Sequence, residues 1–232
     1  MDVFGRSWRL LTRNPVIVVP GFLAAGLGAF LNVMLEPSSD PSATAALSST
    51  IVTRTLALWA GTILTTVLAI AFTTGMADAA WRGPEQRCTL RDGARAFRRE
   101  AGHVLVALLL LSLAGLGAAA LAPFTLGISI AVYAFCCVYT MPAAVVGERG
   151  GLAAVAESFR IACRTPWITI AIVAAILGVA LVMGSVALVL SGTPYVGGIL
   201  QSLVVQGAIA YTTLVVVGEY AASTASTDVR LS

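Results

Sequence analysis

Few side chains in this 232-residue chain have the types and spacing that chemistry requires. The single histidine, His103, has no His, Cys or carboxylate partners at the spacing of a metal or haem site, so it reads as a residue at a helix edge. Cys136 and Cys137 are adjacent inside an apolar run, whereas Cys88 and Cys163 fall in basic segments. That set makes no disulfide framework of the small secreted kind, and reduced structural thiols are expected. No serine is paired with a usable base, and no glycine-rich phosphate loop follows a strand. Neither catalysis nor a cofactor or metal is expected. Asp78, Glu148 and Glu219 each stand at the inner end of an apolar run. Buried carboxylates mark ion and proton paths, but at headgroup depth pairing with arginine is the expected use. Gln201 and Gln206 lie within the last apolar run and Asn32 near the outer end of the first. Such amides tie helices together, each contributing on the order of 1 kcal/mol. Gln201, Gln206 and the three acids are also the candidate residues of a transport path.

The stronger chemical signal is cationic. All 14 positive side chains are arginines, with no lysine, a hint of a GC-rich prokaryotic genome. They sit in short segments that also carry apolar stripes. In the first, Phe4, Trp8 and Leu11 share one side of a helix, with Arg6, Arg9 and Arg13 opposite. In the second the stripe is Leu90, Ala94, Phe97 and Ala101, amid six arginines between Arg82 and Arg99. In the third, Leu152, Val155 and Phe159 oppose Glu157, Arg160 and Arg164. This periodicity suits helices lying in the membrane interface, with apolar faces at the acyl boundary and arginines among headgroups. Arg9, Arg13, Arg95, Arg98, Arg99, Arg160 and Arg164 are therefore the candidate lipid-headgroup residues, each worth about 1 kcal/mol near anionic lipid before screening. A nucleic-acid partner is not expected, because there is no soluble domain to carry a basic face.

Composition supplies the elements that position these residues. Hydrophobic residues make up 58% of the chain and charged ones 11%, with mean hydropathy +0.92. Soluble domains carry about a quarter charged residues. A bilayer core needs about 20 helical residues per crossing, and six apolar runs satisfy that rule, at about 15–35, 56–76, 103–121, 124–146, 167–190 and 199–218. The fold expected is an all-α membrane protein of six spans. Asn14-Pro15 and Thr165-Pro166 read as helix caps followed by first-turn prolines. Pro142 should bend the fourth span or free a carbonyl. A polar loop is expected at about 36–53, tight turns at 122–123 and 191–198, and a frayed tail after Glu219. In a six-span arrangement 13 of the 14 arginines share one side, only Arg54 lying on the other. The positive-inside rule makes that side cytoplasmic, with both termini on it, in a prokaryotic inner membrane.

The elements also repeat. Aligning Trp8-Arg9, Phe97-Arg98 and Phe159-Arg160 superposes Arg13-Asn14-Pro15 on Arg164-Thr165-Pro166, with Gly102-His103-Val104 in the middle copy. Phe72-Thr73, Tyr139-Thr140 and Tyr211-Thr212 recur likewise in the even-numbered spans. The reading is one integral membrane domain of three parallel repeats, each an interfacial amphipathic helix plus a helical hairpin, at about 2–83, 88–151 and 152–221, with a tail at 222–232. A pseudo-threefold bundle would follow.

The aromatic-Arg segments ending in Asn-Pro or Thr-Pro, and the passage from Met141 to Arg160 (MPAAVVGERGGLAAVAESFR), resemble a broad group of prokaryotic six-span proteins. That group includes the membrane domain attached to some bacterial glycerophosphodiester phosphodiesterases, and YciC-like inner-membrane proteins. The resemblance implies the six-span topology more than an activity, and the soluble phosphodiesterase barrel of the fused members has no counterpart here. The function expected is a non-enzymatic scaffold or accessory subunit, engaging anionic membrane lipids or another membrane protein through the basic helices. The alternative is a small-solute transporter or channel subunit. Oligomeric state is open.

Overall fold

The structure is a computed structural model that describes residues 3–35, 47–83, 87–190 and 194–231. All its regular elements are helices: α1 (Val3–Arg13), a 3₁₀ turn (Pro15–Val18), α2 (Val19–Leu35), α3 (Leu47–Arg82), α4 (Leu90–Leu121), α5 (Ile128–Cys137), α6 (Thr140–Val145), α7 (Gly151–Arg164), α8 (Pro166–Leu190) and α9 (Pro194–Leu231). By length and apolar composition, three to five of the described helices can cross a membrane. Of the loop expected at about 36–53, residues 36–46 lie outside the described residues and 47–53 are already the start of α3; of the turn expected at 191–198, residues 191–193 lie outside and 194–198 open α9. The side chains of Asn32, Arg54 and Gln201 also lie outside the described residues.

Two sharp bends organise the basic segments. The chain turns 93° between α1 and the segment after Asn14, and 110° between α7 and α8. Proline explains the position of both bends, since Pro15 and Pro166 cannot donate to the preceding turn. Asn14 (φ −126°, ψ 63°) and Thr165 (φ −124°, ψ 57°) adopt nearly the same backbone conformation. Neither side chain caps the following helix as the sequence suggested. Each bonds backwards instead: Asn14 Nδ2 donates to the Leu10 carbonyl at 3.1 Å, and Thr165 Oγ1 to that of Ile161 at 3.2 Å. The middle basic segment differs. It is continuous with the third apolar run as α4, but across a kink at Glu100 (φ −112°, ψ 17°). With Gly102-His103-Val104 and no proline, every N–H remains available to the helix.

Other boundaries also moved. The fourth apolar run is divided into α5 and α6, and Ser158 of α7 stitches the break. Its Oγ accepts the Tyr139 N–H at 3.1 Å and donates to the Cys136 carbonyl at 2.7 Å. Pro142 removes the N–H that would have bonded Val138, so the expected interruption occurs one turn upstream of the proline. The turn after α4 occupies 122–127, longer than a tight proline turn, and ends on Gly127 at φ +83°. The tail expected to fray after Glu219 is instead the end of α9, with Thr224 Oγ1 bonded to the Tyr220 carbonyl at 3.0 Å.

The basic segments seat on other helices: α1 packs on α9, the first half of α4 on α3, and α7 on both α4 and the α5–α6 junction. Trp8 meets Tyr211 edge-on at 6.0 Å, and Phe97 meets Phe72 at 5.4 Å. The bundle-facing positions are mostly small: Ser7 and Leu10 in α1, Gly93 in α4, Ala154, Ser158 and Ile161 in α7. The larger apolar residues of the expected stripes lie beside these, and Trp8, Leu152 and Phe159 are exposed.

Candidate functional site: a basic surface beside two bundle cavities

The α1–α2 bend carries a bridge that the sequence did not reveal. Asn14 is buried (3% exposed), and its Oδ1 accepts the backbone N–H of Cys88 at 3.0 Å. Since Nδ2 holds the Leu10 carbonyl, one amide joins the end of α1 to the strand of chain entering α4. That chain is itself fixed by a capping box: Asp92 Oδ2 accepts the Thr89 N–H at 2.8 Å and its hydroxyl at 2.9 Å. Burial, aided by the negative charge of Asp92, pushes the Cys88 thiol up to about 11. It is therefore a neutral structural thiol.

Above this bridge opens a pocket of about 850 Å³ whose wall includes Arg13, Arg87 and Arg91, with Pro15, Val16 and Leu90 as apolar neighbours. Arg91 also borders a groove of about 490 Å³ along α4, with Arg95, Arg98 and Arg99. Among the expected headgroup residues, Arg9, Arg13 and Arg98 are exposed. Arg95 pairs with Asp92 at 3.5 Å, Arg160 with Glu157 at 2.5 Å, and Arg99 with both Glu148 and, at 3.4 Å, Glu100. Arg164 is exposed at the α7–α8 bend. Arg87 and Arg91 were visible in the sequence as two of the six arginines from Arg82 to Arg99. Their convergence with Arg13 depends on the Asn14 bridge, for which no sequence signal exists beyond the residue's position before proline.

The three acids have different partners. Asp78 pairs with Arg82 of its own helix at 3.0 Å. Burial raises its carboxyl above the ordinary carboxylate range, against the opposing pull of Arg82. Glu148 pairs with Arg99 of α4, and joins a short network with Glu100 and His103, whose Nδ1 lies 2.9 Å from Glu100 Oε2. Glu219 is buried, accepts from Ser223 Oγ at 3.4 Å, and has no cation at ion-pair distance among the described residues.

Gln206 faces a cavity of about 330 Å³ between α2, α3 and α9, with Thr66 and Thr73 on its wall. Gly21 permits this approach, because the space of its absent Cβ is taken by the Gln206 amide. A neighbouring cavity of about 290 Å³, reached past Ile70 and Ile209, is bordered by Thr74, Tyr133, Thr212 and Thr213. Most of these hydroxyls are spoken for. Thr73, Thr74, Thr212 and Thr213 donate to carbonyls in their own helices at 2.7–3.0 Å, and Tyr133 to the Leu111 carbonyl at 3.0 Å. Both cavities therefore present mainly hydrocarbon, with the Gln206 amide as the exceptional polar group. Among the described residues no three His, Cys, Asp or Glu side chains are grouped to hold a metal. No protein-family model matches the chain, and neither the curated proteins nor the solved structures show a match to it.

Proposed function

We propose that this chain is a six-span inner-membrane protein of three repeats whose basic helices lie on the cytoplasmic surface and hold anionic lipids. It acts as a non-enzymatic scaffold or accessory subunit rather than as a catalyst. The observation that carries this reading is the pair of bends, 93° and 110°, which set two arginine-bearing helices across the direction of the apolar segments that follow them. A helix so placed, with exposed Trp8 or Phe159 beside its arginines, suits the boundary between acyl chains and headgroups. The repeat reading draws support from the matching backbone at Asn14 and Thr165, and from the packing of α1 on α9, α4 on α3 and α7 on the α5–α6 junction. Each basic segment thus leans on the second span of the repeat before it, with the first leaning on the last, and α7 leans on α4 as well.

Replacing Arg160 and Arg164 together by Gln is expected to reduce retention of phosphatidylglycerol severalfold, the scale of about 1 kcal/mol that a single cation contributes near anionic lipid, because Arg160 is already held by Glu157. Native mass spectrometry of protein released from mixed phosphatidylethanolamine–phosphatidylglycerol nanodiscs measures it, with thermal unfolding as a check on the fold. Unchanged lipid retention in a folded variant rejects the reading.

A second reading, a path for a small solute, is favoured by the cavity at Gln206. On that reading, proteoliposomes pass glycerol faster than protein-free vesicles in stopped-flow light scattering, and Gln206→Leu removes the excess. Equal rates with and without protein leave the scaffold reading alone.

A further inference from the structure

We infer that the pocket over the Asn14–Cys88 bridge is a specific site for the phosphate of an anionic glycerolipid. The inference rests on the lipid-binding reading above and narrows it to one place and one chemical group. Asn14 and Cys88 are 74 residues apart in sequence and joined by a buried hydrogen bond. Each is immediately preceded by an arginine, Arg13 and Arg87, so the bond that joins the two segments also brings two cations together. Arg91, in the first turn of α4, adds a third on the same wall.

Three guanidinium groups around one opening repel each other unless an anion lies between them. None of the three has a carboxylate at ion-pair distance among the described residues. Asp92, the neighbour of Arg91 in sequence, is turned to Thr89 and Arg95. Guanidinium forks match phosphate oxygens in geometry as well as charge. The other residues decide for a lipid over a free phosphate. Val16 and Leu90, the latter 41% exposed, place hydrocarbon beside the charges, where a glycerol backbone and the start of an acyl chain would lie. The site is also next to the bend where the chain turns from α1 towards α2, the level at which a headgroup meets the acyl region.

The test compares Arg87→Gln/Arg91→Gln with Arg160→Gln/Arg164→Gln in nanodiscs of phosphatidylethanolamine and phosphatidylglycerol, reading bound lipid by native mass spectrometry. Each arginine lost at the pocket should lower phosphatidylglycerol retention about fivefold, giving roughly 25-fold for the pair. Asn14→Ala, which keeps every charge, should lower retention as well by letting the two segments separate. If the Arg160/Arg164 pair reduces retention and the Arg87/Arg91 pair does not, the site is wrong and the general lipid-binding reading survives. If neither pair does, both fail. Inorganic phosphate titrated against the protein in phosphatidylcholine nanodiscs supplies the remaining arm. Binding of phosphate with no preference for phosphatidylglycerol over phosphatidylcholine overturns the assignment to a lipid.

Discussion

Gly93→Val will loosen the bundle, and Gly102→Ala, nine residues along the same helix, will tighten it. A Cβ at Gly93 would meet the backbone oxygen of Phe72 at 2.8 Å and Met76 Cγ at 3.0 Å. A backbone carbonyl cannot step aside as a side-chain tip can, so α4 must move away from α3. Overpacking of this kind costs about 1–3 kcal/mol, and valine in a helix recovers little of it through propensity. At Gly102 the added carbon meets nothing within 4 Å, so alanine contributes its helix propensity, about 0.8–1 kcal/mol over glycine. Thermal unfolding in one detergent should place the two variants on opposite sides of the parent. A Gly93→Val protein as stable as the parent would show that α3 and α4 do not meet this way.

The second large effect is at Asn14. Asn14→Ala removes both hydrogen bonds of the bridge and leaves the buried Cys88 N–H without its acceptor. An unsatisfied buried donor costs about 1–3 kcal/mol, so a marked fall in thermal stability is expected. A chemical readout makes the result specific. In the parent the Cys88 thiol, held near 11 and 5% exposed, carries about a hundredth of the thiolate of an ordinary cysteine at pH 8. Exposed Cys163 should therefore react with a water-soluble maleimide while Cys88 does not. Opening the bridge should let Cys88 approach the rate of Cys163. Slow labelling of Cys88 in a folded Asn14→Ala variant means that something other than this amide holds the segments together.

What the sequence could disclose follows from which physical quantity each feature depends on. Helical class and the long apolar runs were legible, because hydropathy over about 20 residues is a local property. The bends at Pro15 and Pro166 were legible as interruptions, since proline acts on its own turn. The middle segment shows the limit of that logic: the alignment set Gly102-His103-Val104 against the prolines, yet α4 continues through those residues and kinks at Glu100, where no proline marks it. The packing faces were only partly legible. Phe4, Leu11 and Phe97 of the expected stripes do lie against the core, but the most buried positions of these helices include the small residues Ser7, Gly93 and Ser158. Close approach between membrane helices rewards small residues, and a hydrophobicity pattern gives such residues little weight. The pocket was half legible. Arg13, Arg87 and Arg91 could be counted, but which of the 14 arginines converge is fixed by one hydrogen bond across 74 residues.

The seating of α1 on α9 has a consequence for how the protein is made. The contact between Phe4 and Tyr211 spans 207 residues. At translation rates of about 5–20 residues per second, roughly 10–40 s separate the synthesis of its two sides. Throughout that interval α1 is without its native seat, and the bilayer surface is where its Trp8 and arginines can wait. The lipid surface proposed for α1 would then have a second use during biogenesis, as a holding place until the last helix arrives.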